Sequence, residues 1–118
     1  VKLFRATEDP AVFVFERSIG APLTLPLDII VNDDDFWITD LGPLRFLNFN
    51  FDGTLKHSWL VPKDLPNGFL EIHTFSVDQD GNLYGGDNQY GRSQKFIPKP
   101  SAGEDVLIEP PWVGNSQQ

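Results

Sequence analysis

Apolar and aromatic residues along the chain come in short runs that alternate with polar ones and are cut every few positions by proline or glycine, ten of each. That punctuation leaves no sustained 3.6-residue period, so helices are not expected. The segments between the breaks are rich in Phe, Val, Ile, Leu, Trp and Tyr and alternate in character, as half-buried strands do. Ten strands are predicted, over residues 1–5, 11–16, 27–31, 36–39, 44–50, 54–60, 72–77, 82–86, 92–97 and 105–109. Residues that accept left-handed or side-chain-capped geometry stand between them, at Glu8 to Pro10, Asp52 and Gly53, and Asp80 to Asn82. Short strands joined by tight turns pair with their chain neighbours and give antiparallel meanders.

The pattern also repeats. PLDIIVNDDDFWITDLGPLRFLNF, from Pro26 to Phe49, returns as IHTFSVDQDGNLYGGDNQYGRSQKF, from Ile72 to Phe96. Val31 corresponds to Val77 at a separation of 46 residues, and Asp40 to Asp87, Arg45 to Arg92 and Phe49 to Phe96 at 47, so one turn has gained a residue. Four strands in a period of this length is the spacing of a β-propeller blade. The expected fold is all-β, a partial β-propeller whose blades are four-stranded antiparallel meanders. Val1 to Phe4 aligns with Phe46 to Phe49, so the chain opens in mid-blade. Residues 1–109 are read as about two and a half blades: outer strands of blade 1 in 1–20, blade 2 in 21–66 and blade 3 in 67–109, with a tail over 110–118.

Composition narrows the partners. A 40% hydrophobic and 13% aromatic content is enough to bury a core. A net charge of −8 argues against a nucleic-acid partner, since phosphate binding needs clustered Lys and Arg. No apolar run approaches the ~20 residues of a helical membrane span, and no membrane partner is expected. The absence of cysteine excludes disulfides and thiolate metal sites. Val1 follows no initiator methionine or signal-like segment, and the chain is read as cut from a longer one or seen in part.

The string from Val77 to Phe96 resembles the NHL repeat, whose blades run approximately as a proline, an aliphatic run ending in Val and Asp, a glycine turn, Tyr or Trp, an Asp, and an Arg before a Phe-terminated strand. The other copy keeps Pro26, Val31, Trp37, Asp40, Arg45 and Phe49. The similarity is to bacterial six-bladed NHL-type propellers, related to those of the peptidyl-hydroxyglycine amidating lyase type. It implies an extracellular or periplasmic location. Lyase-like relatives carry zinc-binding histidines on the innermost strand of several blades, and His73 occupies that position where the other copy has Leu27. Gly85 and Gly86 depart from the family pattern and weaken a strand unless a ring or backbone comes close. Gly42 and Pro43 shorten the polar loop of blade 2.

His73 is therefore the candidate metal ligand, with zinc as the ion. Zinc needs three or four ligands, and the only other histidine, His57, falls on an outermost strand. Asp78, Asp80 and Asn82 mimic the first half of a calcium loop, but the twelfth position is Gln89 rather than a bidentate Glu, and an Asx-bonded hairpin explains the same residues. Asp40 with Arg45 and Asp87 with Arg92 recur at equal spacing, which points to an ion pair or loop tie rather than catalysis. Trp37 and Tyr84 are equivalents and read as inter-blade packing; Trp59 and Trp112 have no repeat partner and are candidates for an interaction surface. Asp33 to Asp35 read as a solvated turn. No nucleophile elbow, phosphate loop or dinucleotide fingerprint is present.

The expected function is a non-catalytic scaffold or interaction module without a cofactor, binding protein, peptide or carbohydrate through rim loops. The alternative is part of a metal-dependent lyase or hydrolase with an axial zinc or calcium site. Both terminal blade faces are expected to be apolar, covered by the remainder of a longer propeller or by other copies of the chain.

Overall fold

The computed structural model describes residues 1–19, 22–61 and 68–101. Among them are nine strands and no helix: β1 (Lys2–Ala6), β2 (Phe13–Ser18), β3 (Pro26–Val31), β4 (Asp35–Asp40), β5 (Arg45–Asn50), β6 (Leu55–Leu60), β7 (Ile72–Val77), β8 (Leu83–Asp87) and β9 (Arg92–Phe96). Each strand expected within those residues is found, with ends displaced by two residues at most. The strand expected at 105–109, the limit of blade 3 at 109 and the tail 110–118 lie outside the described residues.

The strands form three antiparallel sheets in chain order, β1-β2, β3-β4-β5-β6 and β7-β8-β9. The chain is thus all-β, a partial β-propeller built of meander blades. Its hairpin turns use the predicted residues. Gly53 and Gly81 take positive φ of 96° and 77°, and the flanking residues close the turns through Asn50 N–H to the Thr54 carbonyl and Asp78 N–H to the Asn82 carbonyl.

Blade 2 is buried on both faces of its middle strands. Phe36, Ile38, Leu47 and Phe49 point one way, against Ile19 and Leu23. Trp37 and Phe46 point the other, toward Phe69, Ile72, Phe75 and Leu83 of blade 3. Two-sided burial explains why FWIT and FLNF lack a clean alternation. The inner strands β3 and β7 lie side by side, and Asp28 joins them. Its Oδ2 accepts the Thr74 hydroxyl at 2.9 Å and the Phe75 N–H at 3.0 Å. Thr74 is the repeat equivalent of Asp28, 46 residues on, so the tie spans one full period.

The glycines of blade 3 answer to a ring. A Cβ on Gly85 would lie 2.6 Å from Cζ of Phe69, and that ring is held from another side by Phe96 at 5.4 Å. In blade 2 the same two positions are Leu23 and Ile38. Blade 3 has moved the volume from the strand to the incoming loop. A similar exchange occurs after the second strand, where Gly91 has φ of 62° and its counterpart Leu44 has φ of 50°. Leucine tolerates the left-handed region there because its side chain is buried in the inter-blade core.

The two ends of the described structure differ. On β1 and β2, Phe4, Phe13 and Phe15 share one face and are 51, 62 and 50% exposed. On blade 3 the strand positions facing away from blade 2 are Thr74, Ser76, Tyr84, Gly86, Ser93 and Lys95, by alternation from Phe75 and Leu83. On the described strands of blade 3 this corrects the expectation of apolar surface at both ends: Ser76, Tyr84 with its hydroxyl, and Ser93 have replaced Ile30, Trp37 and Phe46 at equivalent positions.

Substituting Gly85→Ala is expected to destabilise the protein by about 1–3 kcal/mol through overpacking against Phe69, despite the gain from a stiffer unfolded chain. Gly85→Ile is expected to be tolerated better in a Phe69→Leu background, which restores the blade 2 pair. Urea denaturation of the two singles and the double reads the coupling, and additive losses would show that the ring does not sit on Gly85.

Candidate functional site

Two carboxylates at the same place in successive blades organise the rim. Asp40 closes β4 and Asp87 closes β8, and both are buried. Asp40 Oδ1 accepts the backbone N–H of Thr24 at 3.0 Å and of Leu25 at 2.7 Å. Asp87 Oδ2 accepts those of Leu70 at 2.7 Å and Glu71 at 3.4 Å, their repeat equivalents. Each carboxylate therefore anchors the chain as it enters its own blade.

The second oxygens diverge. Asp87 Oδ1 accepts the N–H groups of Gln89 and Tyr90, both at 3.0 Å. The counterpart of Tyr90 is Pro43, which has no N–H. There Asp40 Oδ2 accepts Nε and Nη2 of Arg45 at 3.2 and 2.8 Å instead. Arg92 is free to donate to the Gly68 carbonyl at 2.6 Å and to stack 4.7 Å over the Tyr90 ring. One recurring Asp and Arg thus make an ion pair in blade 2 and two separate loop ties in blade 3. Burial pushes both carboxyls up, yet their donors outweigh it. Asp40 is held below the ordinary carboxylate value by Leu25, Arg45 and Thr24, and Asp87 by Tyr90, Leu70, Glu71 and Gln89.

The VDQDGN string is a closed hairpin turn. Asp78 Oδ1 accepts the N–H groups of Asp80 and Asn82 and the Asn82 side-chain amide, all at 3.0 Å. Its Oδ2 accepts the same amide at 3.0 Å and the Tyr84 hydroxyl at 2.9 Å. The Asn82 amide leads the donors that lower its pKa to about 2. Asx bonding satisfies this carboxylate with the turn's own groups.

His73 is exposed and sits where β7 shifts register against β8, between Ile72 and Thr74. Leu27 marks the same shift in blade 2. The irregularity leaves two consecutive residues, His73 and Thr74, on the open side of the strand, where strict alternation would leave one. Both line a hollow of about 340 Å³, together with Gly86 and Asp87 at the end of β8, Asn88 and Gly91 in the turn, and Arg92 and Ser93 at the start of β9. His57 lies on β6 and stacks on Trp37 with centroids 6.4 Å apart, so the fold does not bring the two histidines together. Among the described residues no three His, Asp or Glu side chains gather as a metal site.

Trp59 is 37% exposed and bridges the blades, stacked on Phe46 at 5.1 Å and edge-on to Phe96 at 5.8 Å. Trp112 lies outside the described residues. Trp37 packs between blades as expected, but Tyr84 turns outward, donating to Asp78 and lying 5.3 Å under the Lys95 ammonium. The Asp28 tie was not singled out from sequence, and the signal available for it was the Asp-to-Thr pairing at one repeat position. The hollow had one too, in the small and polar residues that replace apolar ones after Asp87.

The depressed carboxyls set the acid response. A group with a folded pKa below its unfolded value of ~4 adds stability that is complete above that value and lost as pH falls through the folded one. Acid unfolding is accordingly expected between about pH 4 and 2, and NMR should show the Asp78 carboxyl still ionised in the folded protein down to that transition. Asp87→Asn places an amide donor among backbone donors and should cost about 1–3 kcal/mol at pH 7. An unchanged denaturation midpoint in that variant would show that the clamp carries no stability. No protein-family model, curated protein or solved structure matches the chain.

Proposed function

We propose that the chain is a non-catalytic propeller segment of the NHL type that works as an interaction module, its partner being a polypeptide that covers the β1–β2 hairpin. The observation that carries this reading is the aromatic face of Phe4, Phe13 and Phe15, left largely exposed on a two-stranded sheet. A hairpin of this size is marginal in water on its own, and covering the exposed half of each ring favours burial by on the order of 1 kcal/mol. The edges of the sheet, unpaired among the described residues, offer backbone groups to an added strand, and the rings offer the surface that a facing blade would cover. The cover is further β-blade structure, supplied by a longer polypeptide or by another copy of the chain.

The recurrence of the Asp40 and Asp87 clamps supports the non-catalytic part of the reading. The buried carboxylates that acid–base chemistry would recruit are committed to holding loops.

In sedimentation velocity the 118-residue chain is expected to associate with rising concentration, and Phe13→Lys with Phe15→Lys is expected to return it to 13.3 kDa without loss of the strand signal in circular dichroism. A wild-type chain that stays monomeric at every concentration would overturn the covered-hairpin reading.

A further inference from the structure

Two buried polar atoms at the face of blade 2 turned toward blade 3 have no protein partner among the described residues: the indole Nε1 of Trp37 and the side-chain Oδ1 of Asn48. Trp37 on β4 and Asn48 on β5 are direct cross-strand partners, so their side chains leave the sheet on the same side. His57 on β6 stands opposite Asn48 and continues the row. Its ring is stacked on that of Trp37, with centroids 6.4 Å apart and planes 15° apart. Trp37 is 2% exposed and Asn48 fully buried. A buried polar group left unbonded costs its full desolvation, and a neighbouring pair of them is held only if something bonds both.

Turning the amide over does not satisfy it. Asn48 Nδ2 donates to the Phe36 carbonyl at 3.3 Å and stabilises the ionised Asp35 carboxylate. Both of these groups are acceptors, so a flipped amide would set oxygen against oxygen. The orientation is fixed, and Oδ1 is left pointing away from them.

The repeat shows what is particular to this place. In blade 3 the counterparts of Trp37 and Asn48 are Tyr84 and Lys95, on the face turned away from blade 2. There the Tyr84 hydroxyl donates to Asp78 at 2.9 Å and the Lys95 ammonium lies 5.3 Å over the Tyr84 ring. That pair is served by charge at the surface. Closed in between blades, Trp37 offers one donor and Asn48 one acceptor. A cation would meet the indole N–H and an anion the amide oxygen, so neither suits both. The complement is a small neutral group that accepts from the first and donates to the second.

We propose that Trp37 and Asn48 bind a single internal water, which accepts the indole N–H and donates to the amide oxygen, as a fixed part of the contact between blades 2 and 3. Such a water leaves only when the two blades part, so its residence time reports that local opening. The site faces blade 3 and does not depend on what covers the β1–β2 hairpin.

Two-dimensional NMR of the full chain reads the site at the Trp37 indole proton. That proton is expected to exchange with D2O about tenfold more slowly than the indole proton of Trp59, a residue 37% exposed. It is also expected to show a rotating-frame cross-peak to water of dipolar sign, the mark of a bound molecule and not of proton exchange. Asn48→Leu removes the acceptor and should abolish the cross-peak. Where that variant does not fold, the native chain alone decides. The proposal is overturned if the Trp37 proton exchanges as fast as that of Trp59, if the native chain shows no dipolar cross-peak, or if the cross-peak survives in folded Asn48→Leu.

Discussion

A buried carboxylate at the end of the second strand in blades 2 and 3 is the constraint on which the rest of the structure depends. Asp40 and Asp87 hold the backbone of the loop that leads into the first strand of their own blade. The inner strand can start in only one place, and its register against the second strand follows. From that register come the facing rows of side chains that let one blade pack on the next. A charge-assisted bond is strong where water is excluded and costly to leave unmade, so the arrangement tolerates variation around it but not removal. The different fates of Arg45 and Arg92 illustrate this tolerance. A proline that lacks an N–H is answered by an arginine, and an available N–H lets the arginine work elsewhere.

Packing between blades follows the same logic of fixed framework and exchangeable filling. Leu23 with Ile38 and Phe69 with Gly85 occupy equivalent positions, the first pair sharing the bulk evenly and the second placing all of it on the loop. Leu44 and Gly91 share a left-handed backbone, one held there by burial of its side chain and the other by having none. In each case the repeat conserves a shape and not a residue type. Asp28 adds a polar fastening between inner strands that no apolar row could supply with the same specificity.

Much of this was legible in the chain. Strand positions followed from alternation and from the breakers around it, and the two copies in register gave the blade before any contact was known. The Asx turn at Asp78 followed from the residues that such turns require. What the sequence could not convey was the direction of each bond. Equal Asp-to-Arg spacing in both copies suggests equal pairing, and only the backbone path shows that Pro43 withholds a donor that Tyr90 provides. The role of Gly85 was visible as a question, but the ring that answers it, Phe69, lies in a loop sixteen residues away. Face polarity was similarly out of reach, because it takes the sheet order to show that Ser76 and Ser93 stand where Ile30 is half-buried and Phe46 fully buried.

The unlike ends of the stack bear on symmetry. Head-to-tail association joins one end of a molecule to the opposite end of the next, and it propagates into rings or fibres when those surfaces match. Here an aromatic hairpin would meet a hydrophilic sheet, and they do not match. The surface that suits a cluster of exposed rings is another such cluster, and two identical patches meet about a twofold axis. That contact uses itself up. Among the described strands, the polar face of blade 3 and the aromatic face of the hairpin are therefore surfaces of unlike chemistry, and neither is a natural complement of the other.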